Sequence, residues 1–221
     1  MKLIKPDNEF ILSTLYQYNL IEGNELNDKL KKLFQQFNDD KNKFDVLIKV
    51  AALNKIYSTA ITNINPVVDQ ITKVANESNN PQNIDDYTNL VDKISKINWT
   101  NSKEVNFKRN NLSFASKYVH FISNYKIPIY DSYIWIVIKG YLGQYKNEKI
   151  SFNAPKNYIE FYSTFIDFKN LFDLEKYSIY EIDKFLWFYG RTMIEKIEKE
   201  LMIDLNKAKS ELKKRIKSSG K

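Results

Sequence analysis

The chain has 221 residues, 43% of them hydrophobic, a net charge of +7 and no cysteine. That length and apolar content support a real core and exclude a disordered chain. The absence of cysteine excludes disulfide scaffolds, thiol nucleophiles, zinc–thiolate sites and iron–sulfur clusters.

Five glycines and five prolines are too few for a loop-rich β-sandwich or a glycine-rich phosphate cradle. Apolar residues recur mostly at three-four spacing, which predicts an all-α chain. Residues 8–38 read as two helices with a bend or break over 19–27, and 39–42 as a polar turn. A helix is expected over 44–64, closed by Asn65-Pro66, with a further helical turn over 67–74. Residues 75–85 are rich in Asn, Ser and Pro and read as a loop.

A short amphipathic helix follows over 87–97, then an irregular polar stretch over 100–111. Residues 113–124 form a helix, and 125–130 an extended turn held by Pro128. Residues 131–142 are a buried helix or, less favourably, a strand; 143–153 are a loop; 157–172 are helical. A last long helix runs over 178–205, with Ser178 and Glu181 in a capping-box pattern. Residues 1–205 are thus expected to form one globular helical domain, with 206–221 a basic tail. Six of the seven net positive charges lie from Leu205 onward. The tail reads as a solvated, fraying helix end as readily as a nucleic-acid contact.

The longest apolar run, 133–138, is far too short to span a bilayer. The first twenty residues lack the apolar stretch and small-residue site of a signal peptide. A cytoplasmic monomer with no membrane contact is expected.

One stretch carries candidate chemistry, NLSFASKYVHFISNYKIPIYDSYI over 111–134. On a helix, Ser113, Lys117, His120 and Asn124 fall along one stripe, opposite Phe114, Tyr118, Phe121 and Ile122. The stripe is expected to be polar and solvated, with Lys117 facing away from the core. Asp131 opens the next segment as an N-cap, where backbone N–H groups keep a carboxylate ionised. His120 is the sole histidine, so histidine-pair ribonuclease and two-histidine metal sites are excluded; a lone histidine beside an apolar face is usually structural. The carboxylates, including Asp39-Asp40 and Asp85-Asp86, are scattered through polar turns and outline no metal site. No P-loop, GxGxxG or GxSxG occurs.

Two segments resemble the helix-hairpin-helix DNA glycosylase superfamily. LIKVAALNKIYSTAITNINPVVDQI, over 47–71, looks like its early helix, with Asn54 and Lys55 where duplex-plugging residues stand. SFASKYVHF…IPIYDSYI looks like its catalytic stretch, nearest to the archaeal 8-oxoguanine glycosylases. The IPIYDSY string also resembles a group of small bacterial proteins without assigned activity. By the resemblance, Lys117 is the Schiff-base nucleophile and Asp131 the catalytic carboxylate. Tyr133, Trp135 and His120 would line the base pocket. The family's Leu-Pro-Gly-x-Gly hairpin is replaced by residues 108–112 without glycine, leaving Lys108 and Arg109 as point charges for phosphate. The resemblance implies a DNA base-excision glycosylase and lyase acting on a damaged purine in double-stranded DNA, with no metal and no cofactor. Two alternatives stand beside it. One is a nucleic-acid-binding module without chemistry; the other is a helical protein-interaction protein of a defence or toxin–antitoxin system.

Overall fold

A computed structural model describes residues 1–21, 25–57, 59, 61–100, 104–146 and 149–219. Among them are ten α-helices and one two-stranded antiparallel ribbon. Parts of the expected bend over 19–27, helix over 44–64, irregular stretch over 100–111, loop over 143–153 and tail over 206–221 lie outside the described residues. The chain divides into two compact units: Met1–Gly23, Asp131–Lys156 and Glu160–Lys221 form unit 1; Asn24–Tyr130 and Asn157–Ile159 form unit 2.

Unit 2 contains α2 (Glu25–Gln36), α3 (Lys43–Ile56), α4 (Asn65–Glu77), α5 (Ile84–Ser95), the strands β1 (Lys96–Thr100) and β2 (Asn106–Asn110), and α6 (Leu112–Ile122). The polar turn before α3 supplies its cap: Asn42 accepts from the Phe44 and Asp45 amides. α3 ends at Ile56, eight residues before the expected end at 64. Asn65-Pro66 opens α4 instead of closing α3. The missing N–H of proline costs nothing in the first turn, where that donor has no helical acceptor. Asn83 and Asp86 cap α5 reciprocally.

The chain is not purely helical. Residues 96–100 and 106–110, which overlap the expected helix end and irregular stretch, form the ribbon, with Ile97 opposite Arg109 and Trp99 opposite Phe107. Ile97 is buried, and Trp99 stacks on Phe107 at 5.1 Å. Apolar residues at period two are the strand signal that the polar composition hid. β2 is exposed along its whole length.

Unit 1 contains α1 (Asn8–Ile21), α7 (Ser132–Tyr145), α9 (Ile179–Leu201), α10 (Leu205–Ser218) and all of α8 (Tyr158–Leu171) beyond its first two residues. α7 resolves the helix-or-strand alternative as helix. α7 and α9 approach closely at Gly190, where an added Cβ would lie 3.1 Å from the Tyr133 carbonyl oxygen. The expected capping box at Ser178 and Glu181 is present. The helix over 178–205 is corrected: it stops at Leu201, and Met202 turns the chain with φ 52°. The basic segment after it does not fray but forms α10, which buries Ala208, Leu212 and Ile216. Arg215 pairs with Glu200 and Glu211. No described helix is long and apolar enough to cross a membrane.

Candidate functional site

α6 is the central helix of unit 2. It follows β2 after one residue, Asn111, whose amide donates to Ser95 O at the end of α5. It packs against α2, α3 and α5, so little of its circumference faces water. The expected solvated stripe is therefore wrong: Lys117 is 5% exposed and His120 2%. A stripe pattern assumes one packed face, and three neighbours leave no free side.

Each polar group on α6 has a specific engagement. The Lys117 amine donates to Ser113 Oγ at 2.8 Å, one turn earlier. It also lies 5.6 Å from the centroid of the Tyr57 ring, and the Tyr57 hydroxyl donates to Asn27 Oδ1. His120 Nδ1 meets Ile127 O at 2.6 Å, which requires the proton on Nδ1. Ser116 Oγ accepts from the Tyr130 amide at 3.0 Å.

α6 ends in a Schellman turn: the Tyr125 amide reaches His120 O, and the Asn124 amide reaches Phe121 O. Asn124 and Tyr125 both have positive φ, 54° and 68°. Through Ile127 O and the Tyr130 amide, the polar residues of α6 thus fasten the segment that carries Pro128. The buried Tyr158 hydroxyl also donates to Pro128 O.

Asp131, Tyr133 and Trp135 belong to unit 1. Asp131 caps α7 as expected, accepting from the Tyr133 amide at 2.8 Å. Tyr133 is half-buried, with the Lys209 amine 4.6 Å from its ring centroid. Burial, and then the Asp131 charge, raise its phenol above the usual range. Trp135 is a core residue whose indole N–H donates to Asn153 O at 2.8 Å.

The residues matched to duplex contact divide as well. Asn54 holds the chain after α3 together: its amide group donates to Ile61 O and accepts from the Thr59 hydroxyl and the Ile61 amide. Lys55 is exposed beside it. Lys108 and Arg109 stand on the exposed strand β2, where the resemblance places a loop. The strand holds two cations outward but presents no turn of free amides to a phosphate. Among the described residues, no three His, Asp or Glu side chains are grouped to hold a metal ion.

A second polar cluster lies elsewhere in unit 2. Asp40 Oδ1 accepts from both the Lys49 ammonium and the Tyr118 hydroxyl. The Lys49 side chain is 1% exposed and that of Asp40 25%. The Lys49 amine also faces the rings of Tyr118 and Phe34, at 5.4 and 5.7 Å. Burial foremost, and then the Asp40 charge, raise the Tyr118 phenol well above its usual value, so it remains a donor. The sequence carried a signal for this group: Lys49 falls on the apolar face of α3 with Val46, Val50 and Leu53, all buried. A lysine at such a position needs a counter-charge.

A family model for HI_0787_N, described as an N-terminal domain, matches residues 11–126. That is just over half of the 221 residues, and the chain belongs to this family. The matched segment holds Asp40, Lys49 and Lys117 and ends before Asp131. No curated protein and no solved structure matches the chain.

Proposed function

Membership of a family described only as a domain brings no activity with it, so we propose a function from the chemistry of α6: the protein excises a damaged purine, such as 8-oxoguanine, from DNA by imine formation at Lys117. The carrying observation is a primary amine that is 5% exposed and hydrogen-bonded to a hydroxyl at 2.8 Å. A lysine nucleophile has to shed its proton before it attacks, and shielding from water together with a neutral partner suits that demand. The sequence resemblance assigns the same residue to the same role, and the carboxylate partner to Asp131. The exposed strand that leads into α6 offers Lys108 and Arg109 to DNA phosphates.

In the proposed reaction the neutral amine attacks C1′. The glycosidic bond breaks, and the departing base takes a proton. The nitrogen now bonded to C1′ has given one proton to that base and passes its second to O4′ as the C1′–O4′ bond breaks and the sugar ring opens, leaving a C1′=N imine. Loss of the C2′ proton then expels the 3′ phosphate by β-elimination.

Borohydride trapping on duplexes bearing 8-oxoguanine, uracil or an abasic site tests the proposal, with Lys117→Gln as control. A covalent adduct that vanishes in the variant is expected. No adduct with the folded wild-type protein on any substrate refutes it. The glycine-free entry to α6 favours a second reading, a DNA-binding module without chemistry. That alternative predicts salt-sensitive duplex binding and no strand cleavage.

A further inference from the structure

The Asp40 carboxylate is only half used. Both of its contacts fall on Oδ1, and no described residue hydrogen-bonds Oδ2. The group stands in a cleft of about 470 Å³ walled by Phe34, Phe121 and Ile122 and bordered by Gln35, Asn38, Asn124 and Lys31. That volume lies within the roughly 300–1,000 Å³ common to small-molecule sites. Lys31 sits 5.2 Å from the Tyr125 ring centroid and pairs with no acid among the described residues. The side chains of Gln35, Asn38 and Asn124 likewise have no hydrogen-bond partner among those residues. A carboxylate pinned from behind by a fully buried lysine, facing a rim of unengaged amides, is built to be read from the open side.

Charge selects among the ligands that could read it. The cleft holds two ammonium groups and one carboxylate, so a purely cationic ligand is disfavoured. A neutral head that donates N–H to Asp40, joined to an anion within reach of Lys31, satisfies every group. The carboxamides supply further donors and acceptors for a planar heterocycle edge, and the apolar wall suits its faces. We infer that this cleft binds a nucleoside monophosphate, the base directed to Asp40 and the phosphate to Lys31. Guanine is the preferred base, because its ring N–H and amino group are adjacent donors; adenine, cytosine and uracil lack that pair. The site uses neither Lys117 nor Asp131 and is independent of the imine reaction.

Calorimetric titration of the full chain with guanosine 5′-monophosphate, guanosine and cytidine 5′-monophosphate tests the inference. Guanosine 5′-monophosphate should bind with a Kd below about 1 mM, a modest affinity for a site of this size, and tighter than its cytidine counterpart. Asp40→Asn keeps an inward oxygen for Lys49 and Tyr118 but turns an amino group toward the cleft. It should weaken binding at least about tenfold, since a donor then faces a donor. Lys31→Ala should weaken the nucleotide and leave the nucleoside unchanged. Gln35→Trp, at an exposed rim position, should block both and guards against misfolding of the Asp40 variant. Lys117→Gln should bind as wild type, which separates this outcome from the imine test. No binding of any nucleotide at millimolar concentration overturns the inference. So does binding that survives both Asp40→Asn and Gln35→Trp.

Discussion

The buried pair of Lys49 and Asp40 makes an asymmetric prediction. Lys49 is 1% exposed and Asp40 25%, so the two ends differ in how they fare when orphaned. Removing one partner of a buried pair costs about 3–5 kcal/mol, because a charge is left without compensation. In Lys49→Met the surviving carboxylate can take water through the cleft and keeps the Tyr118 hydroxyl. Its cost should fall at the low end, about 3 kcal/mol. In Asp40→Leu the ammonium, whose side chain is only 1% exposed, loses its counter-charge, and Tyr118 loses its acceptor, which adds about 1 kcal/mol. That variant should lose about 5 kcal/mol. The double variant Lys49→Met/Asp40→Leu removes both charges and should lose much less than the sum, leaving a coupling of at least about 2 kcal/mol. Urea unfolding of the four proteins, followed by circular dichroism at pH 7, measures all of these terms. Equal single losses, or a double variant that is simply additive, would refute the account.

Leu212→Ala in α10 should cost about 2–5 kcal/mol, since a fully buried leucine leaves a cavity; a loss below about 1 kcal/mol in urea unfolding would show that the helix packs only loosely. Burial foremost, and then the Asp28 charge, push the Tyr125 phenol up to about 12, above an ordinary value of 10.0. The raised group favours the folded state fully below about pH 10, and that contribution fades between pH 10 and 12. The urea midpoint of wild type should therefore fall more steeply across that window than that of Tyr125→Phe, and parallel curves would contradict the assignment.

What the sequence made legible was local. Asp131 as a cap and the Ser178–Glu181 box each depend on a few neighbouring residues, and each stands as expected. What it concealed depended on partners distant in the chain. The stripe of Ser113, Lys117 and His120 has the spacing of a solvated face, yet α6 is enclosed by α2, α3 and α5. Asp40 sat in what read as a plain polar turn. Its role needs Tyr118, 78 positions away, and nothing in local spacing joins the two. The ribbon was missed for another reason: Asn, Lys and Arg dominate 106–110, and only Ile97, Trp99 and Phe107 betray the alternation.

Among the described residues of unit 2 two lysines are buried, and the companions named for them differ. Lys49 is bound to a carboxylate and flanked by two rings. To act as a nucleophile it would have to surrender its proton and abandon Asp40 inside the protein, so the pair opposes the step it would have to perform. Lys117 is held by a hydroxyl. Ser113 can accept a hydrogen bond from the ammonium or donate one to the free amine, so it accompanies either protonation state. The two proposals therefore stand on different lysine environments: the trapping experiment turns on Lys117, held by a hydroxyl, and the titration on Asp40, held by Lys49.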